Sequence, residues 1–335
     1  MSHYKHLSIE ERESLYLSKN QGKSIREIAR ELGRSPSTIS RELARNRLSH
    51  RPYSPSRAQH RYELRKKNCG RKPVLSAAEN RRLIQKLIGE YEWSPEQIQN
   101  RLLYEGNVLQ ISYSTIYRAL KNGLLDDGPG RYIRKCDRYS FHLRRQGKPR
   151  KKNGTINKQG KYHIEYTISQ RPAAANARTE AGHWEGDTVA GKKGGARLLT
   201  QVDRKTRYLL AVKVPNASSE AVRDTMILMF SRLPESKVRS ITPDRGQEFA
   251  KHAEVSAALH DVPFYFADPY SPWQRGSNEN TNGLLRQYFP KYPSLDGVSD
   301  SELDAVVAKL NLRPRKCLNW RTPFELFFDS PLHLT

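Results

Sequence analysis

The stretch Asp268–Lys291, DPYSPWQRGSNENTNGLLRQYFPK, decides how the second half of this chain is read. It reads as a strand end, a rigid Pro-rich loop, and a helix that starts near Ser277, its expected N-cap, and stops before Pro290. One carboxylate, Glu279, lies in the first turn of that helix among Asn278, Asn280 and Asn282. Gly283 and Arg286 follow one and two turns later on the same face. An acid beside a small residue and a cation can complete a metal site that faces a polyanion. It can equally be an ordinary helix-start acid, favoured by the helix dipole. The rest of the chain has to separate the two.

From Gly182 onward the preceding sequence has the pattern of short strands. Expected strands run over 183–189, 196–202 and 208–214, followed by a helix over 218–233 and a short fourth strand over 238–241. A helix over 247–260 and a fifth strand over 264–266 complete the run. A three-strand meander followed by alternating helix and strand describes a mixed five-stranded sheet with helices packed on it. This is the order of a ribonuclease-H-like fold. Two-metal phosphodiester chemistry needs carboxylates converging from separate elements, with the metals about 3.5–4 Å apart. Asp187 within the first strand, Asp244 just past the fourth, and Glu279 on the helix after the fifth suit that geometry. The rivals have simpler roles. His183 and Glu185 share a strand face with Asp187, and the histidine reads as packed or orienting. Asp203 serves the hairpin turn, and Asp268 before Pro269 looks structural; Glu248, four residues after Asp244, could point at the site but more simply supports the start of its helix.

The N-terminal half is different in charge. Lys and Arg number 59 against 35 Asp and Glu, a net charge of +24. From Ala181 to the end there are 21 basic and 18 acidic residues, so the first 180 residues carry 38 and 17, a net of +21. A nearly neutral half behind a strongly basic one suggests a core domain served by polyanion-binding modules. No apolar run approaches the roughly 18 residues needed to span a bilayer, and no signal peptide is visible, so a cytoplasmic protein is expected. Cys69, Cys136 and Cys317 form no metal-binding spacing and read as packing residues.

Ser8–Glu11 and Ser24–Glu27 are capping boxes, and Ser35-Pro36 opens a third helix after the Gly33 turn. Three short helices ending in one rich in hydroxyls and arginine make a helix-turn-helix. Its last helix, with Ile39 and Leu43 inward, presents Ser35, Ser37, Thr38, Ser40, Arg41 and Arg45, and also Asn46, to the major groove of double-stranded DNA. A three-helix bundle with a solvated charged face is the alternative. Residues 76–123 repeat the arrangement, with Ser112, Ser114, Thr115 and Arg118 on the corresponding helix. The domains expected are 1–50, a first helix-turn-helix; 51–72, a basic connector; 73–125, a second helix-turn-helix; 126–175, a basic linker; and 176–335, the sheet domain. Within the linker, Arg138 to Ile164 holds nine basic residues and no acid, so it is expected to be extended or disordered without DNA.

Seven segments then carry a resemblance: LSIEERESLYL, SIREIARELGRSPSTISRELARN, WSPEQI, SYSTIYRAL, RPAAANARTEAGHWEGDTV, DRGQEFAKH and FADPYSPWQRGSNENTNGLLRQYFPK. In this order the chain resembles the insertion-sequence-30-type transposases of the bacterial DDE superfamily. The resemblance implies helix-turn-helix modules joined to a ribonuclease-H-like catalytic domain. It also implies binding to terminal inverted repeats and to target DNA. Mg2+-dependent nicking exposes a 3′-hydroxyl and strand transfer follows. The family's acids fall on Asp187, Asp244 and Glu279, holding two Mg2+ for which Mn2+ substitutes. Arg275 and Arg286 are expected to contact DNA. Arg245 stands where many relatives have Asn. At least a homodimer is expected, because two ends must be brought together. No His/His/Cys/Cys module is visible, which argues against a retroviral-type integrase. A non-catalytic DNA-binding regulator is the remaining alternative.

Overall fold

The computed structural model describes residues 5–47, 52–69, 73–126, 138–139, 164–192, 194–216, 218–269, 271–291 and 294–335. Cys136 and the basic run between Tyr139 and Ile164, expected to be extended, lie outside them. The chain divides into two compact units, Met1–Pro73 and Val74–Thr335.

The first unit contains α1 (Ile9–Asn20), α2 (Ile25–Glu31), α3 (Pro36–Asn46) and α4 (Pro55–Lys67). Both expected capping boxes form, and Ser35 caps α3 with Pro36 in its first turn. Gly33, at φ +60°, supplies the left-handed step between α2 and α3. Leu15, Ile28, Ala29 and Ile39 make the core. Across it, buried Arg12 bonds Glu42 of α3 at 2.8 Å and the Leu7 carbonyl at 2.7 Å, and also reaches Gln59 of α4. The segment read as a connector therefore contains a helix, whose Ala58 is fully buried. Asn46, expected on the open face of α3, is instead buried and donates to Glu42 at 3.0 Å.

The second unit opens with α5 (Ala78–Gly89), α6 (Pro95–Tyr104) and α7 (Tyr113–Lys121), packed around Ile84, Leu87, Trp93, Ile98 and Ile116. Next come β1 (Tyr166–Thr167), α8 (Ala173–Ala177), β2 (His183–Ala190), β3 (Arg197–Asp203), β4 (Leu209–Val214), α9 (Ser219–Ser231) and β5 (Ser240–Thr242). α10 (His252–Ala258), β6 (Tyr265–Phe266), α11 (Gly276–Leu285), α12 (Asp300–Asn311) and α13 (Pro323–Phe328) follow. The main sheet has the order β4-β3-β2-β5. β2 is antiparallel to β3 and parallel to β5. The fifth strand is not a full member. β6 pairs with β1 and meets the main sheet beside β5 through the Ile241–Phe264 bridge, with the Ala267 N–H also donating to the Pro243 carbonyl at 3.3 Å. Pro263 and Pro269 bracket this segment, and proline has no N–H to give a ladder. The expected helix over 247–260 is also shorter, beginning as a 3-10 turn over Gln247–Phe249 before α10.

Alternation along β2 and β3 divides the core in two. One face places Trp184 and Leu199 with Met226, Phe230 and Phe327. The other places Val189, Leu198 and Val202 with Leu284, Leu285 and Leu310 of α11 and α12.

The helical module α5–α7 is joined to the sheet domain through buried charge. Arg101 of α6 is fully buried, pairing with Glu105 at 2.6 Å and with both oxygens of Glu325 in α13 at 2.7 Å. Burial alone would raise the Glu325 carboxyl; the Arg101 bonds and the Thr322 and Leu332 N–H donors outweigh it and hold the carboxyl at about 2. A carboxyl depressed on folding contributes stability above its unfolded value, lost as pH falls through the folded one. Arg101→Met strands two buried carboxylates and should cost about 3–5 kcal/mol at pH 7 by urea denaturation. That deficit should narrow as pH falls from 4.5 toward 2; a deficit independent of pH would contradict this role.

Candidate active site

β2 and β5 run parallel with Glu185 opposite Thr242. Two residues further along each chain stand Asp187, still in β2, and Asp244, just past the end of β5. The register alone therefore sets these carboxylates side by side. Carboxyl ends of neighbouring parallel strands are where open α/β sheets place ligands.

α11 lies over the same face, and its attachment differs from the expected one. Ser277 is not the cap. It is buried in the first turn and accepts a hydrogen bond from Arg207, while Arg275 occupies the N-cap position with no side-chain cap bond. The helix start is instead held by the sheet. Glu185, fully buried, accepts the Asn278 N–H at 2.8 Å through one carboxylate oxygen and pairs with Arg204 through the other. Asn278 Nδ2 returns a bond to the Glu185 carbonyl at 2.7 Å, and Thr200 of β3 donates to Asn278 Oδ1 at 3.3 Å. Glu185 is thereby committed to positioning α11 and is withdrawn from the open site.

One turn on, Asn282 Nδ2 donates to Asp187 Oδ2 at 3.1 Å. The Asp187 Oδ1 accepts the Thr188 N–H at 2.8 Å. Between the two aspartates lies Arg275, with Nη1 3.6 Å from Asp187 Oδ2 and Nη2 3.2 Å from Asp244 Oδ2. Nη1 also donates to the Gly186 carbonyl at 3.0 Å. Glu279 stands one helical turn after Arg275, exposed, and its carboxylate has no hydrogen bond or ion pair with the described residues. The structure therefore brings Asp187 and Asp244 together and leaves Glu279 outside their contact. Among the described residues no three His, Cys, Asp or Glu side chains form a cluster disposed to hold a metal ion.

Glu248 is a closer neighbour than its helix-start role suggested. It accepts from Thr188 Oγ1 at 2.9 Å and lies 3.6 Å from Arg197. A Cβ on Gly246 would come within 2.4 Å of its Oε2 and 2.9 Å of Asp244 Oδ1, so glycine leaves room for both carboxylates. Burial pushes Asp187 up to about 6; Arg275 pulls it down, while Asp244 and Glu248 push it further up. The other rivals have the simpler roles expected. Asp203 accepts the Thr206 and Gly182 N–H groups at 2.7 Å, His183 bonds Ser240 at 2.8 Å, and Asp268 accepts from Gln274 at 2.9 Å. Arg245 bonds the Ala267 carbonyl at 2.9 Å. Arg286, half-buried at the end of α11, donates weakly to the Phe289 carbonyl at 3.5 Å; burial lowers its pKa, and the Asp187 charge opposes part of that fall.

The positions expected to read DNA face solvent. Ser35, Ser37, Ser40, Arg41 and Arg45 are exposed on α3, and Ser112, Ser114 and Arg118 on α7, with Thr38 and Thr115 half-buried beside their caps. Both helices open with the same hydroxyl cluster: Ser35 to Ser37 and Thr38 at 3.0 and 2.8 Å, Ser112 to Ser114 and Thr115 at 3.0 and 2.9 Å.

Residues 3–46 match the model of a helix-turn-helix domain, and residues 177–272 match that of an integrase core domain. Over 96% of its length the chain is 40% identical to the transposase InsI for insertion sequence element IS30A of Escherichia coli, covering 83% of that protein. The chain belongs to the IS30 family of transposases. It is likewise 37% identical to the transposase for element IS1086 of Cupriavidus metallidurans, over 96% of this chain and 94% of that protein. Identity to the transposase for element IS4351 of Bacteroides fragilis is 36%, over 96% and 95%. This IS30-family protein thus pairs a helix-turn-helix with a ribonuclease-H-like integrase core, the architecture of a DDE polynucleotidyl transferase. Among its described residues no helix is long and apolar enough to cross a membrane.

Sequence reasoning missed the Arg275 bridge and Asn282, whose spacing held the signal: they lie four before and three after Glu279. Asp187 ionises against its surroundings, so metal-free protein should lose stability as pH rises from about 4 to 6 at this group. Asp187→Asn removes that cost. In EDTA its stability relative to the parent should improve over that interval, by at most about 3 kcal/mol. A parent–variant difference that stays flat in pH would contradict the assigned cost.

Proposed function

We propose that this transposase binds the terminal inverted repeats of its own element and catalyses divalent-metal-dependent strand cleavage and strand transfer, with Asp187, Asp244 and Glu279 as the metal-binding carboxylates. The observation that carries the reading is the convergence of Asp187 and Asp244, from adjacent parallel strand ends, around a single cation, the Arg275 guanidinium. Paired carboxylate oxygens with an open side fit Mg2+, which takes few protein ligands and keeps waters and substrate oxygens; Mn2+ substitutes for it. When bound, the metal ions supply Lewis acidity at the phosphodiester and lower the pKa of the attacking oxygen.

The chain's own residues do the rest. Glu185 and Asn278 seat α11 and with it Glu279, which follows Arg275 by one helical turn. Asn282 and the Thr188 N–H orient the Asp187 carboxylate. Arg286 faces the same carboxylate from the end of α11, in a place suited to a DNA phosphate. In α3, Ser37, Thr38 and Arg41 are the side chains for base edges in the major groove, with Arg45 for phosphate; Ser114, Thr115 and Arg118 play that part in α7. The basic residues of the N-terminal half and the linker supply affinity through phosphates. The protein acts in the bacterial cytosol, and at least two copies assemble because two ends react together.

On repeat-end DNA, Asp187→Ala, Asp244→Ala and Glu279→Ala should each lower cleavage and strand transfer by about 10³-fold or more while retaining DNA binding. Normal activity in any one of them removes that residue from the metal site. Because the Glu279 carboxylate makes no contact with the aspartate pair, its variant is the most informative. For recognition, Arg41→Ala should cost about 1–3 kcal/mol on repeat ends and little on unrelated DNA, read by competition binding at fixed salt. An equal loss on both DNAs would make Arg41 a phosphate contact.

A further inference from the structure

Arg275 stands in an unusual place for a residue expected to touch DNA. Its side chain is only 16% exposed, and its guanidinium spans the two aspartates proposed as metal ligands. It is not a well-satisfied structural arginine. Nη1 bonds the Gly186 carbonyl and Nη2 bonds Asp244, but the Nε is buried with no hydrogen-bond partner among the described residues. The contact to Asp187, at 3.6 Å, is charge attraction rather than a hydrogen bond. Such a seat is held by charge balance, because two adjacent carboxylates repel one another unless a cation lies between them.

We propose that Arg275 is a resident counter-ion, holding Asp187 and Asp244 together in the metal-free protein, and that a divalent cation must displace it to enter. The proposal rests on the reading of the two aspartates as metal ligands. With Arg275 in place the pair carries a net charge of about −1; a divalent ion added beside it would bring two cations into one seat, and like charges at that range repel strongly. The weaker holder leaves. A guanidinium spreads one charge over a rigid plane of donors, whereas a small divalent cation concentrates twice the charge and prefers carboxylate oxygens. Once displaced, the guanidinium remains tethered at the start of α11 beside the carboxylates, and its natural partner there is a phosphate. Arg275 is thus a positioning residue that sets the cation threshold of the site.

A purely structural ion pair and a competing counter-ion predict opposite changes in metal affinity. Full-length protein, stripped of metal and without DNA, is titrated with Mn2+ alone, and free Mn2+ is read by electron paramagnetic resonance. Asp187→Asn and Asp244→Asn should each abolish the binding seen in the parent. Arg275→Gln should bind Mn2+ about fivefold tighter or more, with Arg275→Lys between it and the parent. Arg239→Gln, which removes the same charge from an exposed pair with Glu180, should leave the affinity unchanged. Equal or weaker Mn2+ binding by Arg275→Gln, with binding still dependent on Asp187 and Asp244, overturns the counter-ion role and leaves the metal site standing. Mn2+ binding insensitive to both aspartate variants, or absent from every variant, overturns the metal site and this inference with it. Should Arg275→Gln fail to fold, Arg275→Lys decides by the same sign.

Discussion

The buried carboxylate of Glu185 is the constraint on which the catalytic half depends. A charge taken fully out of water costs several kcal/mol unless it is paired and hydrogen-bonded. Glu185 meets that demand with Arg204 on one oxygen and the first-turn N–H of Asn278 on the other. The consequence is mechanical. α11 cannot slide or rotate on β2 without stranding a buried charge, so every side chain on its first two turns is registered against the strand that carries Asp187. The orientation of Asn282 and the station of Glu279 both follow from that one interaction.

Around Asp187 and Asp244 the balance is deliberately incomplete. Glu185 lies two residues from Asp187 on the same strand face, yet it is saturated with donors. Asp187 instead keeps a partly open carboxylate whose ionisation is opposed by burial and by Asp244 and Glu248. The difference between a saturated and a partly open carboxylate on one strand is therefore set by what the facing helix supplies. Asn278 closes one, and Asn282 only steadies the other.

The two helical modules show the same chemistry in different settings. α3 and α7 begin with matching hydroxyl clusters, and in both the hydroxyls satisfy the free N–H groups of the first turn while the next positions face solvent. The first module closes on itself through Arg12, which ties α1 to α3 and α4. The second is bound into the sheet domain through Arg101, whose partners Glu325 and Leu332 lie more than 200 positions away. α7 therefore shares the orientation of the sheet domain that carries the carboxylates.

Much of this was legible in the sequence, because local features have local causes. The capping boxes at Ser8 and Ser24, Pro36 in the first turn of α3, and the hydroxyl-rich openings of α3 and α7 act within one helical turn, and they appear where read. The meander β2-β3-β4 followed from alternation, and Asp187 and Asp244 from their places along strands. Features requiring long-range partners were not legible. Ser277 looked like the cap of α11, but the first-turn N–H of Asn278 is met by Glu185, 93 residues earlier than that asparagine. Nothing local in the sequence marks Arg12 and Glu42 as the buried pair that the fold makes of them. Arg275 read as a DNA contact until the tertiary structure set it between two aspartates contributed by different strands. Residue types and periodicity determine which elements form and which acids are available. Where a buried charge finds its partner is decided only when distant strands and helices meet, because that pairing depends on distance and dielectric rather than on neighbours in the chain.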